Sequence, residues 1–340
     1  MARKAVLLVN LGSPDAPTVP AVRRYLRQFL SDPRVIDIPG PLRFLLVNGI
    51  IVPFRSPKSA HAYQQVWSAE GSPLVASGKS LARKVQDRLG SEYEVHLGMR
   101  YGSPAMDKVL SAVMDEQPDE ITLIPLFPQY ASATTGSVIE EMSRVLRQRY
   151  NIPSLRVVSD FYDEPRFIAA FAAVARPQIE AFRPDHVLFS YHGLPESQIR
   201  KADPTQNHCL KGGACCERIE HSNRYCYRAQ CFGTTRALVA ALKLEPSVHS
   251  TSFQSRLGRA AWIQPYTEER LGELRKQGVK RLAVMCPAFV ADCLETIEEI
   301  GMRAAEDWKS MGGEEFKMIT SLNSEDVWCD AIAAWVRQTP

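Results

Sequence analysis

Residues 187–195 read Val187-Leu188-Phe189-Ser190-Tyr191-His192-Gly193-Leu194-Pro195, an apolar run that ends on a histidine and is then turned away by glycine and proline. A short apolar run closed in this way reads as a buried strand feeding a loop. Further along, a second apolar run, Leu282-Ala283-Val284-Met285-Cys286, leads to Asp292-Cys293-Leu294-Glu295-Thr296-Ile297-Glu298-Glu299. In an α-helix over 292–309, Asp292, Glu295 and Glu299 fall at i, i+3 and i+7, which predicts three carboxyls on one face. A base at the tip of one strand with carboxylates beyond another is how an open α/β sheet builds a site. That pairing suits chemistry that takes protons from a ligand and handles a hard cation.

Working outward, short runs rich in Val, Ile and Leu alternate with helical stretches along the whole chain, which argues for parallel sheets. The runs predict strands near 4–10, 93–98, 120–126, 155–159, 186–191, 246–251, 280–286 and 316–320. Helical periodicity is clearest in 75–88, 105–115, 136–150, 165–181, 232–243, 266–277 and 293–309. At 340 residues the chain exceeds the usual single core. The expected architecture is therefore α/β: two doubly wound, Rossmann-like lobes with parallel sheets facing a central cleft. The lobes are expected at 1–180 and 181–340. No internal repeat is strong enough to prove duplication.

Hydrophobic residues at 45% and charged residues at 23% are ordinary for a soluble globular protein. The net charge of +3 is too small to argue for nucleic acid, and no recognition motif for it is present. No apolar run approaches the roughly 18 residues of a membrane span. The apolar run after Met1-Ala2-Arg3-Lys4 is too short for a signal peptide and passes into a turn, so a first strand is expected. The expected compartment is cytoplasmic, where the eight cysteines are thiols or ligands rather than disulfides.

Residues 39–56 are apolar all round, bracketed by proline, with arginine at 43 and 55. They read either as an ordinary buried helix or as a greasy lip able to hold a flat apolar ring or touch a membrane surface. Between 22 and 58, Arg23, Arg24, Arg27, Arg34, Arg43, Arg55 and Lys58 face only Asp32 and Asp37. Such an excess is either a solvated face or an attractor of anions. Cys209, Cys215, Cys216, Cys226 and Cys231 form a second unusual stretch, spaced C-x5-C-C-x9-C-x4-C within an insert at 204–231. Four thiolates from such a loop suit zinc or a [2Fe–2S] cluster, and zinc usually shows tighter C-x2-4-C pairs than these.

Phe189-Ser190-Tyr191-His192-Gly193-Leu194-Pro195 and Asp292-Cys293-Leu294-Glu295-Thr296-Ile297-Glu298-Glu299-Ile300 together resemble ferrochelatases, which insert ferrous iron into a porphyrin. The resemblance also covers Val9-Asn10-Leu11-Gly12-Ser13-Pro14, Gly71-Ser72-Pro73-Leu74 and Arg100-Tyr101-Gly102-Ser103-Pro104. It continues through Pro125-Leu126-Phe127-Pro128-Gln129-Tyr130 and Ser252-Phe253-Gln254-Ser255-Arg256 to Trp262. It implies a chelatase-like fold, a porphyrin-binding lip at about 13–75, and protoporphyrin IX and Fe²⁺ as substrates. Metallation removes two pyrrole protons, and a neutral imidazole accepts a proton near pH 7, so His192 is the expected base. Glu295 is the expected carboxylate for Fe²⁺, with Glu299 extending a path for protons or metal; on this reading His192 shares the metal contact with Glu295 transiently. Asp292 is read as a helix cap.

Leu11, Arg34, Arg100, Tyr130, Ser132, Thr134 and Trp262 are the expected porphyrin contacts, with Thr135 beside them; Arg100 reads equally as a lock for the fold. Two departures from the family are informative. Cys293 stands where many members carry a second histidine, which puts a two-histidine mechanism in doubt. Leu11 sits where coproporphyrin-using relatives often place a tyrosine, which favours protoporphyrin IX. The resemblance also favours a [2Fe–2S] cluster over zinc, because some ferrochelatases ligate one through an internal cysteine insert. Five cysteines exceed four ligands, and Cys231 opens a stretch shared with cluster-free relatives. Competing readings are a chelatase for coproporphyrin III or for cobalt, and a non-catalytic haem or iron–sulfur sensor. Peripheral membrane contact is an expectation; the oligomeric state is left open.

Overall fold

All eight expected strands form: β1 (Lys4–Ser13), β2 (Tyr93–Gly102), β3 (Glu120–Pro125), β4 (Ser154–Val157), β5 (His186–His192), β6 (His249–Gln254), β7 (Arg281–Met285) and β8 (Glu315–Met318). The protein is described by a computed structural model covering residues 3–256, 258 and 260–338. The strands make two sheets, ordered β2-β1-β3-β4 and β6-β5-β7-β8, and every pairing is parallel. The central strands β1 and β5 are buried almost end to end, which is why they read as continuous apolar runs instead of alternating ones. The two sheets repeat one topology, which the sequence was too divergent to display.

In each sheet the chain first crosses to one side of the leading strand and then to the other. Neighbours β1 and β3, and likewise β5 and β7, are therefore left with crossovers that diverge. Such a switch point opens a crevice at the carboxyl ends of its strands. Beneath these ends lie two cores. One packs Leu7, Val9, Met106, Leu110, Leu123 and Val138; the other packs Leu188, Leu271, Leu274, Val284, Ile300 and Trp308.

The units divide differently from 1–180 and 181–340. One runs to Phe127, takes in Ser132–Asp160 and regains the chain from Ser324; the other holds Pro128–Ala131 and Phe161–Asn323. The helix Pro165–Phe182 thus belongs with the second sheet. It begins where Glu164 accepts hydrogen bonds from the amides of Arg166 and Phe167. The last helix, Asp326–Arg337, returns to the first unit, where Lys84 and Arg88 pair with Asp326 and Arg88 also pairs with Asp330.

Helices Val19–Leu30, Glu196–Ala202 and Asp326–Arg337 are present although the sequence did not lead to them, and the stretch 39–56, after Pro39, lies within a helical run from Gly40 to Val66. The run from Gly40 to Val66 comprises Gly40–Leu45, a π-wound segment Leu46–Ile51 and Val52–Val66. It is no buried helix. Phe54 is 78% exposed, Phe44 66% and Leu45 65%, with Leu42 and Ile50 also exposed. No helix among the described residues is long and apolar enough to cross a membrane.

Candidate active site

His192 is the last residue of β5, register-paired with Gln254 at the end of β6. The amide of Gly193 donates to the carbonyl of Gln254 at 2.8 Å and bends the chain out of the sheet. Position 193 has no room for a side chain: a Cβ there would lie 2.9 Å from the Gln254 carbonyl oxygen and 3.2 Å from the Trp262 ring. The turn is backed by residues 261–263, through Glu196 N to the Ala261 carbonyl and Ile263 N to the Leu194 carbonyl. That support places the Trp262 ring 6.4 Å from the His192 ring.

His192 Nδ1 lies 2.6 Å from the carbonyl oxygen of Gly193. A carbonyl only accepts, so Nδ1 carries the proton and Nε2 is left with the lone pair. The half-buried ring is therefore held in the tautomer that a proton acceptor needs.

The acidic segment departs from the α-helical expectation. Glu295–Ala304 is π-wound, and only Ala305–Ser310 continues as α-helix. A π-turn closes i to i+5, so Glu295 and Glu299, four apart, stay nearly in line while the i+7 relation to Asp292 fails. Asp292 instead turns to Asn323, accepting from its side-chain amide at 2.8 Å, and also takes hydrogen bonds from Ser321 N and Thr296. It anchors the start of the segment and is not a third carboxyl of the row.

Glu299 accepts from Ser255 Oγ at 2.7 Å, and Ser255 holds a left-handed φ of 67° to reach it. Burial pushes the Glu299 carboxyl above its ordinary range and Glu295 adds to this, while Ser255 and the nearby His192 ring pull the other way. His192, Glu295 and Glu299 thus lie together at the β5/β7 switch point. Cys293 is buried and hydrogen-bonded to Glu295, and burial raises its thiol.

In the first unit, Leu11 follows the buried Asn10, whose side chain accepts from the Leu11 amide. Arg100 is committed to the fold: it donates to Asp32 at 2.9 Å and to Ser137 Oγ at 2.7 Å. Tyr101 and Ser137 donate to the same Asp32 oxygen. Arg34 is paired with Glu140 and bonds Ser132 Oγ at 2.9 Å. Ser132 and Thr134 lie in a π-wound turn, Ser132–Gly136. Tyr130 belongs to the second unit, where its amide donates to Gln230 and its ring meets Tyr225.

The ferrochelatase family model matches residues 3–339. The chain belongs to the ferrochelatase family. It is 46% identical to the ferrochelatase of Coxiella burnetii over 334 residues, covering 98% of this chain and 93% of that one. It is 47% identical to the ferrochelatase of Pseudomonas fluorescens over 344 residues, covering 100% and 99%. SirB from Bacillus subtilis, solved with Fe³⁺, matches at a TM-score of 0.54 and 10% identity, covering 98% of this chain and 94% of that chain. A multi-domain Deinococcus radiodurans protein with structural similarity to chelatases matches at 0.50 and 13%, covering 98% and 55%. These two likenesses speak to the fold alone, and it is the chelatase fold.

In this chain the cysteine insert is anchored by two polar residues that sequence reading passed over. Buried Asp203 accepts from Thr205 N and Oγ1, His208 N and Cys209 N, all within 2.7–2.9 Å. Burial works against its charge, but these donors win and hold the carboxyl well below its usual range. Asn223 bonds the carbonyls of Cys215 and Arg218 at 2.9 Å each. Cys209 and Cys216 each contact Cys226 through a thiol hydrogen bond, and Cys215 Sγ is 3.7 Å from Cys216 Sγ. Cys231 stands apart from this chain of thiols, fully buried and bonded to Tyr227. Among the described residues no group of three or more His, Cys, Asp or Glu already closes on a metal position.

Proposed function

We propose that the protein inserts Fe²⁺ into protoporphyrin IX, forming haem and releasing two protons. The observation that carries this reading is the His192 tautomer, with Nε2 free beside a carboxyl raised above its usual range, in a chain of the ferrochelatase family. Two N–H bonds break and Fe–N bonds form, with iron staying ferrous throughout. His192 Nε2 takes a pyrrole proton, and Glu299 receives it. Glu295 offers Fe²⁺ an oxygen ligand that binds weakly enough to release it. Trp262 supplies an apolar wall for the macrocycle. Leu11 has no ligating atom, which supports protoporphyrin over coproporphyrin. Arg100 is not a propionate partner in this scheme, because Asp32 already holds it.

The exposed Phe44, Leu45, Ile50 and Phe54 form a lip that rests against the membrane surface from the cytoplasmic side. The insert holds a [2Fe–2S] cluster on Cys209, Cys215, Cys216 and Cys226. What supports this donor set is the contact among the four thiols, the anchors Asp203 and Asn223, and Arg228, which donates to Cys216 Sγ at 3.1 Å. When bound, such a cluster ties four points of the insert together. Metal insertion itself transfers no electrons.

Turnover is tested anaerobically with Fe²⁺ and protoporphyrin IX or coproporphyrin III. Haem formation from protoporphyrin that falls about 10²–10⁴-fold in His192→Ala, with folding unchanged, supports the scheme. An active His192→Ala removes the base assignment, and no turnover on either porphyrin removes the function. Iron and sulfide analysis of the same preparation, with Cys209→Ser as control, tests the cluster.

A further inference from the structure

Gln254 sits between the base and the acid pair and touches the framework of both. Its backbone carbonyl accepts from Gly193 and so fixes the turn that carries His192. Its side chain, in a residue only 4% exposed, reaches the other way. Nε2 donates to the carbonyl of Glu295 at 2.9 Å, at the residue where the π-wound segment begins. Oε1 accepts from Ser190 Oγ at 2.8 Å and lies 3.9 Å from Cys286 Sγ.

The partners define the orientation of this amide. A carbonyl can only accept, so it must face the NH₂ end, and the flipped amide would set oxygen against oxygen. Ser190 in turn lies 3.0 Å from Thr267 Oγ1, which lies 2.9 Å from Ser252 Oγ. With Ser190 donating to Gln254, each hydroxyl accepts from the next, and the chain runs in one direction. All four residues are buried, so each bond broken leaves an unsatisfied group out of reach of water.

We infer that Gln254 is a positioning residue for metal insertion: its main chain holds the His192 turn while its side-chain amide holds the Glu295 end of the acidic π-segment, fixing the separation of base and carboxylates. This rests on the reading of His192, Glu295 and Glu299 given above. Ser190 and Cys286, at the tips of β5 and β7, brace the amide, so three strand ends and the acidic segment meet at one side chain. Porphyrin affinity is not set here, because the amide is buried within the framework.

The test uses the full chain with Zn²⁺ and protoporphyrin IX, following zinc-porphyrin formation. Turnover by the parent protein tests the underlying reading, and the variants are scored relative to it. Gln254→Met keeps the shape and loses both hydrogen bonds. It should lower kcat and raise KM for Zn²⁺, each by about tenfold, with KM for porphyrin within about twofold. Gln254→Glu replaces the donor by an acceptor when ionised and restores a donor when protonated. Its deficit relative to the parent should therefore narrow as pH is lowered, whereas that of Gln254→Met should not. Should Gln254→Met fail to fold, Ser190→Ala, which removes one brace and leaves the Glu295 contact, should show the same split at about threefold. Folded variants with kcat and zinc KM within twofold of the parent would overturn the proposal. So would a loss that raises both KM values equally, or a Gln254→Glu deficit independent of pH.

Discussion

The two sheets share one strand order, yet each holds a buried acid of opposite character. Behind β1 and β2, Asp32 gathers Arg100, Tyr101, Ser137 and the amide of Arg34. Beyond β5 and β7, Glu299 has one hydroxyl donor, a neighbouring imidazole and another carboxylate. Burial is the leading influence on both and pushes both carboxyls up. For Asp32 the hydrogen bonds and the Arg100 guanidinium reverse it, and the carboxyl ends below its ordinary range. For Glu299 they do not. The same topology gives a carboxylate locked in its charged form in one sheet and a carboxyl raised above its ordinary range in the other, and the number of donors within bonding distance decides which.

The largest effect that would break this contrast is at the lock. Asp32→Ala strands a largely buried guanidinium and should cost about 3–5 kcal/mol of stability, seen as a lower denaturant midpoint. An unmoved midpoint would mean that Asp32 is no lock. Next comes Glu299→Gln, which should cut turnover about 10–100-fold with the midpoint unchanged, because a neutral amide suits that site better than a charge. A destabilised but fully active Glu299→Gln would put the two acids in one class.

The smallest effect sharpens the contrast along a single strand. His186 opens β5 as His192 closes it, and its Nε2 lies 2.8 Å from Ser250 Oγ. Burial, with Arg270 and His249 nearby, pushes it down to about 4. An unfolded histidine titrates near 6.5, so the unfolded chain binds this proton more readily. Its contribution to stability is therefore intact above about pH 6.5 and is lost as pH falls toward 4. The melting temperature of His186→Gln should decline less steeply than the parent's between those limits. Parallel declines would show that His186 is not the titrating group.

How much of this was legible follows from which interactions are local. β1 and β5 announce themselves because a strand covered on both faces is apolar throughout, and His192 stands out because Gly193 and Pro195 end its strand. The pairing of Glu295 with Glu299 was legible for the wrong reason. The α-helical template put Asp292 beside them, while the π winding depends on anchors at Asn323 and Gln254 that no local pattern encodes. Arg100 stayed open between a ligand for substrate and a lock for the fold because Asp32, its partner, lies far away in the chain. The boundary near 180 failed for a similar reason: the helix Pro165–Phe182 follows β4 in sequence but belongs with the second sheet. The insert was legible through its cysteines. Asp203 and Asn223, which give it shape, look like ordinary loop residues until their donors and acceptors are counted.

The bond from His192 Nδ1 to the Gly193 carbonyl sets a limit on the order of events. With that nitrogen committed, the imidazole has one seat for an incoming hydrogen ion, whereas each porphyrin surrenders two. On the proposed scheme, a ring that loses both protons to His192 must see the first passed on to Glu299 before the second can leave, so the two deprotonations are separate events. On that scheme the macrocycle spends the interval as a half-stripped monoanion, and whatever grips the ring must hold it through the wait.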